Sequence, residues 1–277
     1  MHLTLKKEII LDNTDSSFST EAAFLYECNW LLEEDVLHIS IIGEKVRKLL
    51  KIESYDLSDT PAPHREDLLK EILANHNKIL DNSSSNQFIH VSSDFSLVPH
   101  AFNEENTYSR IYGGLLEIDS EISTSKIQHL NLDLVTSHPL TRILPVGQFS
   151  KNHFIGKLIQ YCSANYASSD ENVAVTYQLK ESTFILLFRN EKLIVANQYP
   201  VKEPADVSYF VFASMKSYDI KPGLTTLYFG GYLQESETLI GIFNKYVHEV
   251  YRMNPVIEYR GNFEDTAPIL TADICSA

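Results

Sequence analysis

The 277-residue chain is poor in the residues that staple a fold or cross a bilayer. It has three cysteines, Cys28, Cys162 and Cys275. They are too few and too scattered for a disulfide framework or a zinc knuckle. Cys28 and Cys162 lie within apolar patterns and read as buried thiols, whereas Cys275, in the tail, reads as exposed. No window approaches the ~20 apolar residues of a spanning helix. The opening "MHLTLKKEIILDNTDSS" lacks the continuous apolar region and small-residue cleavage site of a secretory signal, so the expected location is the cytoplasm. Cationic side chains are scarce: 23 Lys and Arg stand against 37 Asp and Glu, for a formal charge of −14. Nucleic acid requires a basic footprint, and anionic membrane surfaces repel such a chain, so neither is an expected partner. Chemical signatures are also missing. There is no Gly-x-Ser-x-Gly elbow and no P-loop. No His-x-x-x-His pair or Asp-x-Asp-x-Asp-Gly run suggests a metal site.

What is present is core-forming. Hydrophobic residues make up 44% of the chain, and 15 Tyr and 14 Phe against one Trp suit sheet-rich packing. After a polar lead-in over residues 1–19, the first half offers three strands: Ala22–Leu31, Val36–Ile42 and Lys45–Leu57. The turn between the first two is Glu33-Glu34-Asp35. "TPAPHRED" breaks the sheet, and a helix over Arg65–Leu80 carries Leu68, Leu69, Ile72 and Leu73 at helical spacing. A buried strand over Gln87–Val91 follows. "FSLVPHAF" comes next, where Pro99 fits an edge or a turn better than an inner strand.

The second half repeats this order. Strands are expected over Asn172–Leu179, Thr183–Phe188 and Leu193–Tyr199. "PVKEPAD" then breaks the sheet, a helix covers Ala205–Tyr218, and Leu224–Phe229 is the next strand. A closing helix spans Glu235–Val250, and Val256–Tyr259 could add a short last strand. Between the halves, Leu115–Ile122 and Ile127–Val135 read as strands, and a helix over Lys151–Asn165 connects the lobes. The expected boundary lies near Pro145-Val146-Gly147, giving a first lobe over 20–145 and a second over 146–277. The class is α/β, two lobes each with a mixed sheet flanked by helices, internally duplicated.

Three antiparallel strands, a helix and a parallel strand, occurring twice, resemble the actin-like ATPase superfamily, with its ribonuclease H-like lobes. More narrowly, "FIHVSSDFSLVPHAF", and the pattern from "VAVTYQLKESTFILLF" through "LTTLYFGGYL", look like an uncharacterised bacterial family assigned to that fold. The resemblance extends to actin-like pilus-assembly and secretion-platform proteins, some of which bind partner peptides. It implies a nucleotide cleft between the lobes. In active members each lobe's first hairpin supplies an acidic residue for magnesium and glycines whose bare amides meet phosphate.

This sequence departs from that pattern. Its two hairpins, "ECNWLLEEDVLHIS" and "TYQLKESTFILL", contain no glycine, and Glu33-Glu34-Asp35 would repel a triphosphate. Only Gly230-Gly231 matches, at the place of the glycine pair beside the adenosine. The expectation is therefore a non-catalytic binding or scaffolding protein with a degenerate nucleotide site and no cofactor. Its partner would be a protein or peptide, bound in the cleft or along the edge formed by Phe95, Leu97 and Val98. The alternative is an ATP-binding protein or weak ATPase that holds ATP with Mg through atypical phosphate loops and Gly230-Gly231.

Overall fold

The first apolar run pairs with the second as their alternation requires. Strand β2 (Tyr26–Glu33) and β3 (Val36–Gly43) form an antiparallel hairpin in which Glu33 faces Val36. The computed structural model describes residues 8–33, 35–102, 121–138, 144, 147–168, 171–232, 236–260 and 267–277. The first sheet also contains β1 (Glu8–Thr14), β4 (Lys48–Asp56), β5 (Ser85–His90) and β9 (Ser150–His153), in the order β1-β4-β3-β2-β5-β9. The second sheet contains β10 (Asn172–Gln178), β11 (Ser182–Arg189), β12 (Lys192–Pro200), β13 (Thr225–Gly231) and β14 (Glu249–Arg252), in the order β12-β11-β10-β13-β14.

Read from β4, the first sheet follows the same path as the second. In each, two antiparallel pairings are followed by two parallel ones. The first parallel crossover in each sheet runs through a helix, α1 (Ala62–Asn75) with the short α2 (Asn77–Leu80) in one half and α4 (Pro204–Ser217) in the other. The duplication read from the sequence is thus a duplication of topology. A smaller sheet, β6 (Phe95–Pro99), β8 (Leu132–His138) and β7 (Glu121–Ile127) in that order, is inserted between β5 and β9.

Two helices lie between the large sheets. Helix α3 (Phe154–Asn165) buries Phe154, Ile155, Leu158, Ile159 and Cys162 in one core with Leu31 and Ile89 of the first sheet and Val175, Tyr177 and Phe184 of the second. Helix α6 (Ala267–Cys275) places Leu270, Ile274 and Cys275 in that same core, while Ile269 and Ala272 pack on Ile42, Leu49 and Ile52. The outer face of the first sheet is covered by Leu68, Leu69 and Ile72 of α1. That of the second is covered by Val207, Val211 and Met215 of α4, and by Leu239 and Phe243 of α5 (Ser236–Phe243).

Several expectations require correction. The lead-in contains β1, an edge strand paired with β4. The first strand starts at Tyr26, because Ser19 caps a 3₁₀ turn over Thr20–Leu25. Helix α1 starts at Ala62 and breaks at His76, whose Nδ1 lies 2.8 Å from the Ile72 carbonyl oxygen and whose Nε2 lies 2.7 Å from Glu53 Oε2. The closing helix stops at Phe243, and the chain re-enters the sheet as β14, so the last strand is Glu249–Arg252; Glu258 only bridges to Lys48. Residues 150–153 extend the first sheet as β9 and the connecting helix begins at Phe154. Cys275 is buried, as are Cys28 and Cys162. Most of Leu115–Ile122, together with Glu34 and the Pro145-Val146 boundary, falls outside the described residues.

Candidate functional site

The two hairpin tips approach each other across the molecule. At the end of β2, Glu33 is buried, and its Oε1 accepts the Lys180 backbone N–H at 3.1 Å. Lys180 lies in the tip between β10 and β11, a turn closed by the Leu179 N–H donating to the Ser182 carbonyl at 2.8 Å. A carboxylate of one lobe therefore occupies a main-chain amide of the other.

Beside this contact is a cavity of about 440 Å³. That volume is within the range of small-ligand clefts, roughly 300–1,000 Å³. The first lobe supplies Ile10, Leu11, Glu33, Val36, His38, Ser54 and Asp56 to its wall. The second supplies Gln178, Lys180, the Val201–Pro204 loop and Tyr232, and Pro268 of α6 completes it.

His38 is the central polar group. Its Nδ1 lies 2.8 Å from Ser54 Oγ, its Nε2 lies 3.5 Å from the Tyr232 hydroxyl, and Glu33 Oε2 is 3.8 Å away. The Tyr232 ring stacks near the imidazole, with centroids 6.2 Å apart. Burial lowers the His38 pKa to about 4, so the ring is neutral at pH 7. The Asp56 carboxyl is held below its usual range by the Ser58 hydroxyl and backbone N–H, with Lys180 adding to the effect.

Gln178 is the last residue of β10. Its backbone carbonyl accepts the Tyr232 N–H at 2.9 Å. The residue is only 8% exposed, and among the described residues no donor reaches its Oε1.

The glycine pair ends β13, and the protein's own packing accounts for both members. Gly231 has φ +87°, and a Cβ there would lie 2.0 Å from the Gln178 carbonyl oxygen. A Cβ on Gly230 would lie 2.9 Å from both Leu270 Cδ2 and Met253 Sδ. Gly230 lets α6 and the Met253 segment approach the strand, and Gly231 lets the strand turn beside β10.

Phe95, Leu97 and Val98 lie elsewhere, on β6. This strand is an edge of the small sheet among the described residues, in register with Thr136, Leu134 and Asp133 of β8. Phe95 and Leu97 are partly buried against the inter-sheet core, and Phe95 packs 5.4 Å from the His153 ring. Val98 is also partly exposed. The structure does not bring these residues to the cleft. Conversely, Gln178 and His38 carried no sequence signal beyond their place in strands, and Tyr232 none beyond following the glycine pair. Among the described residues, no group of three or more His, Cys, Asp or Glu side chains is placed to hold a metal ion. No described helix is long and apolar enough to cross a membrane.

Residues 15–250 match the family model described as Protein of unknown function (DUF3822). The chain belongs to this family. A protein from Bacteroides thetaiotaomicron, described as having an actin-like ATPase fold and unknown function, superposes with a TM-score of 0.76 at 17% identity, covering 92% of this chain and 99% of that one. The PilM–PilN type IV pilus biogenesis complex matches with a TM-score of 0.55 at 12% identity, covering 90% and 97%. The cytoplasmic domain of EpsL, from the type II secretion system of Vibrio cholerae, matches with a TM-score of 0.47 at 11% identity, covering 91% and 95%. No curated protein matches the chain. The DUF3822 chain therefore has the actin-like ATPase fold.

Proposed function

We propose that this DUF3822 protein is a non-catalytic binding or scaffolding module whose actin-like cleft has lost its nucleotide function. The observation that carries this reading is the Lys180 N–H donating to Glu33 Oε1 across the lobes. The family resemblance assigns the amides of these hairpin tips to phosphate. Here one is satisfied by a buried carboxylate of the chain itself, and a triphosphate entering beside that carboxylate would meet like charge in a poorly solvated place. The glycine pair adds support, since its free space is taken by Leu270, Met253 and the Gln178 backbone.

A binding role is the use such a fold retains. It keeps a cleft between two lobes and an edge strand, β6, to which an extended peptide could add through main-chain hydrogen bonds. That PilM, a fold relative, is seen in complex with PilN fits a partner-binding use of this architecture.

Thermal unfolding with and without Mg-ATP tests the reading. A ligand at a hundred times its dissociation constant stabilises by about 2.7 kcal/mol, a shift of several degrees. The expected result is an unchanged melting temperature and no ATP hydrolysis above background. Stabilisation of the wild-type chain by Mg-ATP overturns it.

A further inference from the structure

We propose that the edge of the second sheet at Glu249 and Tyr251 of β14 is a docking surface for a basic segment of a protein partner, which lays a cationic side chain on the Tyr251 ring. Neither residue lines the interlobe cavity, so the proposal goes beyond the reading of the cleft and stands independently of it. The observation behind it is a row of three stacked phenols. Tyr166, the C-cap of α3, has its ring centroid 4.3 Å from that of Tyr228 on β13, with the planes 24° apart. Tyr228 is in turn 5.6 Å from Tyr251, its partner in register on β14, at 28°. The row runs outward from the inter-sheet core, against which Tyr166 and Tyr228 are partly buried, to Tyr251, which is 46% exposed. Strand β14 is the last of its sheet among the described residues, and the row ends with it.

The charges beside the row select the occupant. Glu249 pairs with Thr226, two residues before Tyr228, so both lie on the same side of the sheet as the stacked rings. The Tyr251 hydroxyl donates to Glu249 Oε2 at 2.9 Å, and the Thr226 hydroxyl donates to Glu171 Oε2 at 3.3 Å. Both glutamates are exposed, and among the described residues neither has an ion-pair partner. Arg252, the cation of β14 itself, alternates to the opposite side with Val250, which packs against α4 and α5. The face of a tyrosine ring attracts a cation through its quadrupole, and a carboxylate next to the ring adds to that attraction. A basic segment finds both at Tyr251, whereas an acidic one meets repulsion from Glu249 and Glu171. The chain's charge of −14 argues against a second copy as the occupant and favours encounter with a basic partner.

The test titrates the full chain with an acetylated, amidated Thr-Arg-Thr-Arg-Thr peptide and with its lysine, citrulline and glutamate counterparts, followed by amide chemical shifts. The arginine and lysine peptides are expected to bind and to shift the amides of Tyr228, Glu249 and Tyr251, with the neutral citrulline peptide about fivefold weaker. Tyr251→Ala should weaken the arginine peptide about fivefold and Glu249→Gln about threefold. Both side chains are exposed, so both variants should melt as the wild type does. Arg252→Gln, on the opposite side of the sheet, should leave the shifts at Tyr251 in place. Failure of both cationic peptides to bind, equal binding of the citrulline peptide, or binding that survives Tyr251→Ala and Glu249→Gln unchanged overturns the proposal. A dimer of the free chain that Tyr251→Ala dissolves gives the surface to a second copy and overturns it as well.

Discussion

The hydroxyl of Tyr177 lies 2.6 Å from Thr271 Oγ1, tying the second sheet to helix α6 in the dry interior. Thr271 already donates its own proton to the Ala267 carbonyl at 2.8 Å, so Tyr177 is the donor of the pair. Tyr177→Phe removes that donor and leaves no N–H or O–H unpaired. Thr271→Val removes the acceptor and strands the Tyr177 O–H. The expected costs are about 1 kcal/mol for the first and about 1–3 kcal/mol for the second. Denaturant melts of both variants and their double mutant check this. Equal costs, or a larger cost for Tyr177→Phe, would show the donor assignment to be wrong.

The two glycines should differ sharply. Gly231→Ala forces a side chain into positive φ and into the Gln178 backbone, neither of which can yield, so a loss of about 3 kcal/mol or more is expected. Gly230→Ala presses on the Leu270 and Met253 side chains, which can rotate, for about 1–3 kcal/mol. Met253→Ala should relieve part of the Gly230→Ala cost and none of the Gly231→Ala cost. A double-mutant cycle reads the coupling.

His38 makes stability depend on pH. Its folded pKa is about 4 against an ordinary 6.5, so the unfolded chain takes up the proton first as pH falls. The neutral ring's contribution is therefore complete above about pH 6.5 and is lost as pH drops toward 4. The full loss is on the order of 3 kcal/mol. His38→Gln should flatten this part of the stability–pH curve. An unchanged slope between pH 6.5 and 4.5 in the variant would refute the assignment.

The sequence made the meanders legible because β2, β3, β10 and β11 are apolar enough to be read as strands, and the Pro-marked breaks fix where each sheet hands over to a helix. The fifth strands were not legible. "SKNH" and "EVYR" are four residues long and mostly polar, and each forms by parallel pairing with a neighbour that only the tertiary fold provides. Val247 and Val250 sit at helical spacing, yet one packs from a turn and the other from a strand. Helix α6 was missed for the opposite reason: it is buried on nearly every side, so no polar face marks a period, and Cys275 at its end looked like tail. In the cleft, the hairpins' lack of glycine was readable, whereas the Glu33–Lys180 bond depends on the meeting of segments 147 residues apart.

Helix α6 belongs to neither sheet and yet fills the space between both, and this bears on how the chain is made. A ribosome releases residues from the amino end, so both large sheets have emerged before residues 267–275. Until then Ile42, Leu49 and Ile52 of the first half, and Gly230 of the second, lack the apolar surface that later covers them. Asp273 of α6 then locks the arrangement, accepting from the Val256 N–H at 2.6 Å, the Tyr161 hydroxyl at 3.1 Å and Arg47 at 3.2 Å. Between the emergence of the second sheet and that of residues 267–275, α3 is the only helix between the two sheets, and a chaperone that shields apolar clefts would find its binding surface in the place α6 later fills.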